Sequence, residues 1–148
     1  NGYVEEGGQG VLARIYREMP VNSIWEGAGN LMALDLLRAL RSPGATQALM
    51  EELATGRGAD PALDQAIAGL PGRLQALAEE GQARRLAQEV ALLVQAVLMW
   101  RCAPGEVAQA FTASRIDDAP GRFGGAAFGL LPAGTPTGAL LARAMPPI

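Results

Sequence analysis

The sequence predicts an all-α protein, a helical bundle, on three observations. Only 5% of the 148 residues are aromatic while 49% are hydrophobic, so the core has to be built mainly from Ala and Leu, which favour helices packed on helices. Apolar residues recur at helical spacing, first as Leu31, Leu34, Leu37 and Leu40, later as Leu63, Ile67, Leu70, Leu74 and Leu77. No stretch alternates apolar and polar residues as a half-buried strand would.

Residues 1–10 read as a loop, and Gly7, Gly8 and Gly10 lack the spacing of a dinucleotide fingerprint. Val11–Glu18 reads as a short helix with Leu12, Ile15 and Tyr16 on one face, ended by Pro20. A stronger helix is expected from near Leu31 to Arg41. Met32 and Leu36 widen its leucine stripe, and Arg38 and Arg41 suit the negative end of its dipole. Ser42-Pro43-Gly44 breaks it. The next helix, Thr46–Thr55, turns Leu49, Met50 and Leu53 inward and Glu51 and Glu52 outward, and Gly56 to Gly58 stop it.

Asp60-Pro61 is a cap followed by a first-turn proline. Pro71-Gly72 interrupts the seam that follows, giving one kinked helix or two short ones. Gln82–Cys102 is the longest uninterrupted element. Its run from Val90 to Trp100 is apolar nearly all round and predicts a central, surrounded helix, while Arg84, Arg85 and Arg101 leave it too short to span a bilayer. Tyr16 and Trp100 are expected to anchor packing, and Cys102 to sit inert at the end of a buried helix. Pro104–Ile116 is a further helix with Val107, Ala110 and Phe111 inward. The chain therefore divides into a bundle over 1–118 and a Gly- and Pro-rich tail over 119–148 that wraps it, with a short helix near Thr137 to Ala144.

Composition narrows the chemistry. There is no His and a single Cys, so neither a His/Cys metal site nor a Ser-His-Asp or Cys-His arrangement is expected within the chain. The lone Cys102 suits a reducing compartment and a cytoplasmic location. All 12 basic residues are Arg; residues 1–81 carry 6 of them against 11 acids and residues 82–148 carry 6 against 4, for a net charge of −3. That late Arg excess is mild and is no dense nucleic-acid patch.

The stretch from Pro20 to Asn30 combines a polar loop, Trp25, the carboxylate of Glu26 and two glycines at the mouth of a helix. Gly27 and Gly29 let backbone approach a ligand closely, and the first free amides of the helix present partial positive charge to a phosphate. The plainer reading is a capped helix, with Ser23 or Asn22 as the cap and Glu26 as a first-turn acid.

The run Arg14-Ile15-Tyr16-Arg17-Glu18-Met19-Pro20-Val21-Asn22-Ser23-Ile24-Trp25-Glu26-Gly27, with Asn30-Leu31-Met32 and Leu34-Asp35-Leu36-Leu37-Arg38 after it, resembles the acyl-CoA dehydrogenase family. Within the family it is most similar to the adaptive-response, isovaleryl-CoA dehydrogenase-like branch. Ala110-Phe111-Thr112-Ala113-Ser114-Arg115 and Leu131-Pro132-Ala133-Gly134-Thr135 resemble the end of that branch, and Asn1-Gly2-Tyr3 resembles the close of a Gly-Gly-x-Gly-Tyr run. The likeness is specific from Arg14 to Arg38 and loose from about Ser42 to Gly105.

The resemblance implies the C-terminal helical domain of a longer FAD-dependent acyl-CoA dehydrogenase, inactive as this piece alone. Glu26 falls where many family members place the general base that removes a proton α to the thioester carbonyl of acyl-CoA. Gly27, Ala28, Gly29 and Asn30 fall where the family faces flavin, with Asn30 the best candidate for a polar contact and Ile24 and Trp25 near the isoalloxazine. Ala28 departs from the family's usual Thr or Ser, which removes one hydroxyl contact. The family also implies a homotetramer and an electron-transfer acceptor. Arg38 and Arg115 fall where the branch implies arginines directed at DNA, so a DNA-associated flavoprotein of the alkylation response with vestigial dehydrogenase activity is a rival reading. A non-catalytic helical oligomerisation domain is a second. Surface or helix-end arginines are the structural alternative at both positions.

Overall fold

A computed structural model describes residues 11–25, 27–76, 79–116, 131 and 133–145. The loop expected at 1–10, the side chain of Leu77, Glu26 and the 118/119 domain boundary lie outside the described residues. Among those described there are seven α-helices and no strand: α1 (Val11–Glu18), α2 (Gly29–Leu40), α3 (Pro43–Ala54), α4 (Pro61–Ala76), α5 (Ala83–Cys102), α6 (Gly105–Arg115) and α7 (Thr137–Ala144). Short 3-10 turns cover Met19–Ser23 and Glu80–Gln82. The all-α helical bundle is as the leucine spacing predicts.

α5 is the axis of the bundle, packing on α2 and α6 most extensively and also on α3 and α4. It buries Leu86, Val90, Leu93, Ala96 and Val97 against Ala33 and Leu37 of α2, Leu53 of α3, and Leu63, Ile67 and Leu70 of α4. Each fully buried Leu or Ile here is worth roughly 1.5–3 kcal/mol relative to exposure. The surround is incomplete, however, because Ala91, Gln95 and Leu98 remain exposed along one stripe. At the end of α3, Gly56 is buried against α5, where a Cβ would stand 2.6 Å from Cγ2 of Val97. The stop read at Gly56 to Gly58 is therefore also a close helix approach.

Local chemistry explains the boundaries. Oδ1 of Asp60 accepts from the backbone N–H groups of Ala62 and Leu63 at 2.9 and 3.1 Å, the expected cap of α4. Pro43 starts α3 rather than only breaking α2, since proline fits the first turn, where its missing N–H has no helical partner. Pro71 lies inside α4, which stays one element to Ala76. Trp100 anchors α5 to α6, its Nε1 donating to Oγ1 of the buried Thr112 at 2.9 Å.

Two packing expectations are corrected. Tyr16 is 78% exposed and anchors nothing in the bundle, because α1 packs chiefly on the 3-10 turn that follows it. Cys102 is exposed rather than enclosed, since it falls in the last turn of α5. No helix among the described residues is long and apolar enough to cross a membrane.

Candidate functional site at the start of helix α2

The stretch that precedes α2 is built by its backbone. Pro20 enters the 3-10 turn at one of its first positions, and the hydroxyl of Ser23 donates back to the carbonyl of Pro20 at 2.7 Å. The carbonyl of Val21 accepts from the amides of Ile24 and Trp25, both at 3.0 Å. Gly27 has φ +106°, a backbone conformation that favours glycine, and its amide donates to the carbonyl of Ile24 at 3.3 Å. Ala28 is then extended, and its carbonyl accepts from Leu31 and Met32 as α2 begins.

This geometry corrects the capping expectation. The residue at the N-cap is Ala28, with no side-chain cap bond, so neither Ser23 nor Asn22 caps α2. Ser23 is turned back onto Pro20, and the Asn22 amide contacts the sulfur of Met19. With α2 starting at Gly29, Glu26 precedes the first turn instead of belonging to it. The amides of Gly29 and Asn30 stand at the helix start, where no carbonyl of the helix can reach them. A Cβ at Gly29 would meet nothing within 4 Å, so the approach to the backbone is open.

Ile24 and Trp25 are 68% and 67% exposed, and Leu31 and Met32 continue the apolar surface onto α2. Ala28, Gly29 and Asn30 are exposed and Gly27 is half-buried. Ile24, Trp25, Gly27, Ala28, Gly29 and Asn30 thus form one solvent-facing shoulder. Asn30 is the one with a side-chain tie to another element, its Oδ1 accepting from Nη1 of Arg84 on α5 at 3.2 Å.

The two arginines singled out for DNA occupy the last turns of their helices, Arg38 on α2 and Arg115 on α6. Arg38 is paired with Asp35, and Arg115 is half-buried and also engaged. A cavity of about 200 Å³ lies elsewhere, between α6 and the segment leading to α7, lined by residues including Glu106, Gln109 and Thr135. Among the described residues, none of Ile24, Trp25 or Gly27 to Asn30 lines it.

Sequence reasoning overlooked two features. By sequence Arg84 is only a charge flanking α5, and no local spacing ties it to Asn30. Glu89 passed unnoticed, although it stands three residues after Leu86 and four before Leu93, on the face of α5 that turns out buried.

The all-α bundle suits the C-terminal helical domain of acyl-CoA dehydrogenases. The relationship is visible in a particular protein: over 117 residues, 78% of this chain, the sequence is 40% identical to "Putative acyl-CoA dehydrogenase AidB" of Escherichia coli (strain K12). The chain is therefore a relative of the acyl-CoA dehydrogenase family through its AidB-like branch, as its motifs imply. It spans about a fifth of that relative's length, 21%. No family model matches the chain, and neither does a solved structure.

Proposed function

We propose that this chain is the C-terminal part of a cytoplasmic FAD-dependent acyl-CoA dehydrogenase and that its shoulder at 24–30 borders the flavin and acyl-CoA site. The observation that carries the reading is the solvent-facing shoulder of Ile24, Trp25 and Ala28 to Asn30, in a chain 40% identical over 117 residues to a protein named as an acyl-CoA dehydrogenase. The residues present fit such a cofactor. Gly29 leaves backbone approachable, the amides at 29 and 30 are donors at the positive end of α2, and the Asn30 NH2 can donate while its oxygen is held by Arg84. Ala28 contributes no hydroxyl, so the contact there is made by backbone.

In this reading the Glu26 carboxylate takes the proton from the carbon α to the thioester carbonyl. The electrons of that C–H bond become the new α,β double bond as the β carbon gives up its hydride. FAD, when bound, supplies the acceptor for that hydride. Glu26 follows the apolar Ile24 and Trp25 in the chain, and a carboxylate is a stronger base once acyl-CoA, flavin and the rest of the protein screen it from water. The exposed Ile15, Met19, Val21, Leu31 and Met32 are covered by the remainder of the protein or by another copy in a homotetramer. An electron-transfer acceptor would be a further partner of the full-length protein.

The test is anaerobic mixing of the full-length, flavin-loaded protein with a series of acyl-CoA thioesters. Bleaching of the yellow flavin band, lost in Glu26→Gln with the flavin still bound, is expected. Retained flavin that no acyl-CoA bleaches would overturn the proposal.

A further inference from the structure

Arg84 lies in the first turn of α5 and reaches 54 residues back along the chain to Asn30 at the start of α2. Among the described residues this is its one side-chain bond. A cation gains nothing from the positive end of a helix. The bond to Asn30 is what this placement provides.

We infer that Arg84 is a positioning residue for Asn30: its guanidinium holds the Asn30 side-chain oxygen and thereby turns the Asn30 NH2 outward as a donor to an acceptor atom of the cofactor. The inference rests on the proposed flavin site. A guanidinium can only donate, so the amide atom facing it must be Oδ1, and the amide loses the freedom to flip. A free asparagine presents its oxygen or its nitrogen with little preference, whereas one held in this way presents nitrogen. The two backbones are fixed relative to each other because α2 and α5 pack extensively. Asn30 stands three residues before the buried Ala33, and Arg84 immediately follows the buried Ala83. The pair thus sits on rigid elements at the edge of the core, where an oriented donor keeps its direction.

The test is a double-substitution cycle on FAD affinity in the full-length protein stripped of flavin, read by quenching of free FAD fluorescence, with thermal unfolding followed alongside. Asn30→Ala is expected to weaken FAD about tenfold, the scale of one lost hydrogen bond. Arg84→Met is expected to weaken it several-fold in the parent and to have no further effect in the Asn30→Ala background. Arg84→Lys, which keeps a donor, is expected to recover part of the loss and serves as the cycle partner if Arg84→Met fails to fold. Effects that multiply in the double variant would show that Arg84 acts on the cofactor itself and would overturn the assignment, as would an unchanged affinity in Arg84→Met. If the unsubstituted protein binds no FAD, the flavin site fails and this assignment with it; normal affinity with independent effects rejects the assignment alone.

Discussion

Nε of Arg73 donates to Oε2 of Glu89 at 2.8 Å, an ion pair that ties α4 to α5 with the carboxylate 1% exposed. The same guanidinium donates through Nη2 to the carbonyl of Ala66, lying so close over Gly69 that a Cβ there would collide with it. Pro71 stands between these contacts, where it cannot donate to the helix carbonyl four residues back. Arg73 therefore braces the stretch of α4 that the proline weakens. Oε1 of Glu89 makes no hydrogen bond among the described residues, and Nε of Arg85 is 3.5 Å from it.

Removing the cation should thus cost more than removing the pair. Arg73→Met leaves a buried carboxylate supported by Arg85 alone and is expected to lower stability by about 3 kcal/mol. Arg73→Met combined with Glu89→Leu should recover much of that loss, because two apolar side chains replace two desolvated charges. Urea unfolding of the single and double variants measures both. A double variant less stable than Arg73→Met would show that the carboxylate has a structural role beyond this pair.

The contact between Gly56 and Val97 yields a steric prediction. Gly56→Ala places a methyl 2.6 Å from Cγ2 of a fully buried valine, and overpacking of this kind costs roughly 1–3 kcal/mol. Val97→Ala in the same chain opens the needed space, so the double variant should lose less than the two single losses added together. Thermal unfolding of the set tests this non-additivity.

Much of the fold was legible because its signals are local. Asp60 followed by a proline announced the start of α4, and the leucines of α4 and the apolar run of α5 announced buried faces. The errors arose where a partner, or the want of one, is set by the packing and not by local spacing. Ser23 has the chemistry of a cap, but Pro20 permits a 3-10 turn whose carbonyl takes the hydroxyl, and the helix starts six residues later. Tyr16 lies on the face assigned to packing, but α1 has little of the bundle beside it. Glu89 carried a readable sign, a charge at a core position of α5. Its partner Arg73 is 16 residues away on another helix, and no spacing rule connects them. The contiguous shoulder at 24–30 was legible from its motif, whereas the Arg84 contact to Asn30 needed the packing of α2 on α5.

The central claim is that Glu26 removes the α-proton, and the most direct measurement is isotope exchange. Full-length, flavin-loaded protein is incubated with an acyl-CoA bearing deuterium at the α carbon, and loss of the label to water is followed by mass spectrometry. Catalysed washout is expected in the parent and should fall by roughly a hundredfold or more in Glu26→Gln, the scale of a lost general base, with FAD still bound. Washout that proceeds at the parent's rate in flavin-loaded Glu26→Gln would contradict the claim.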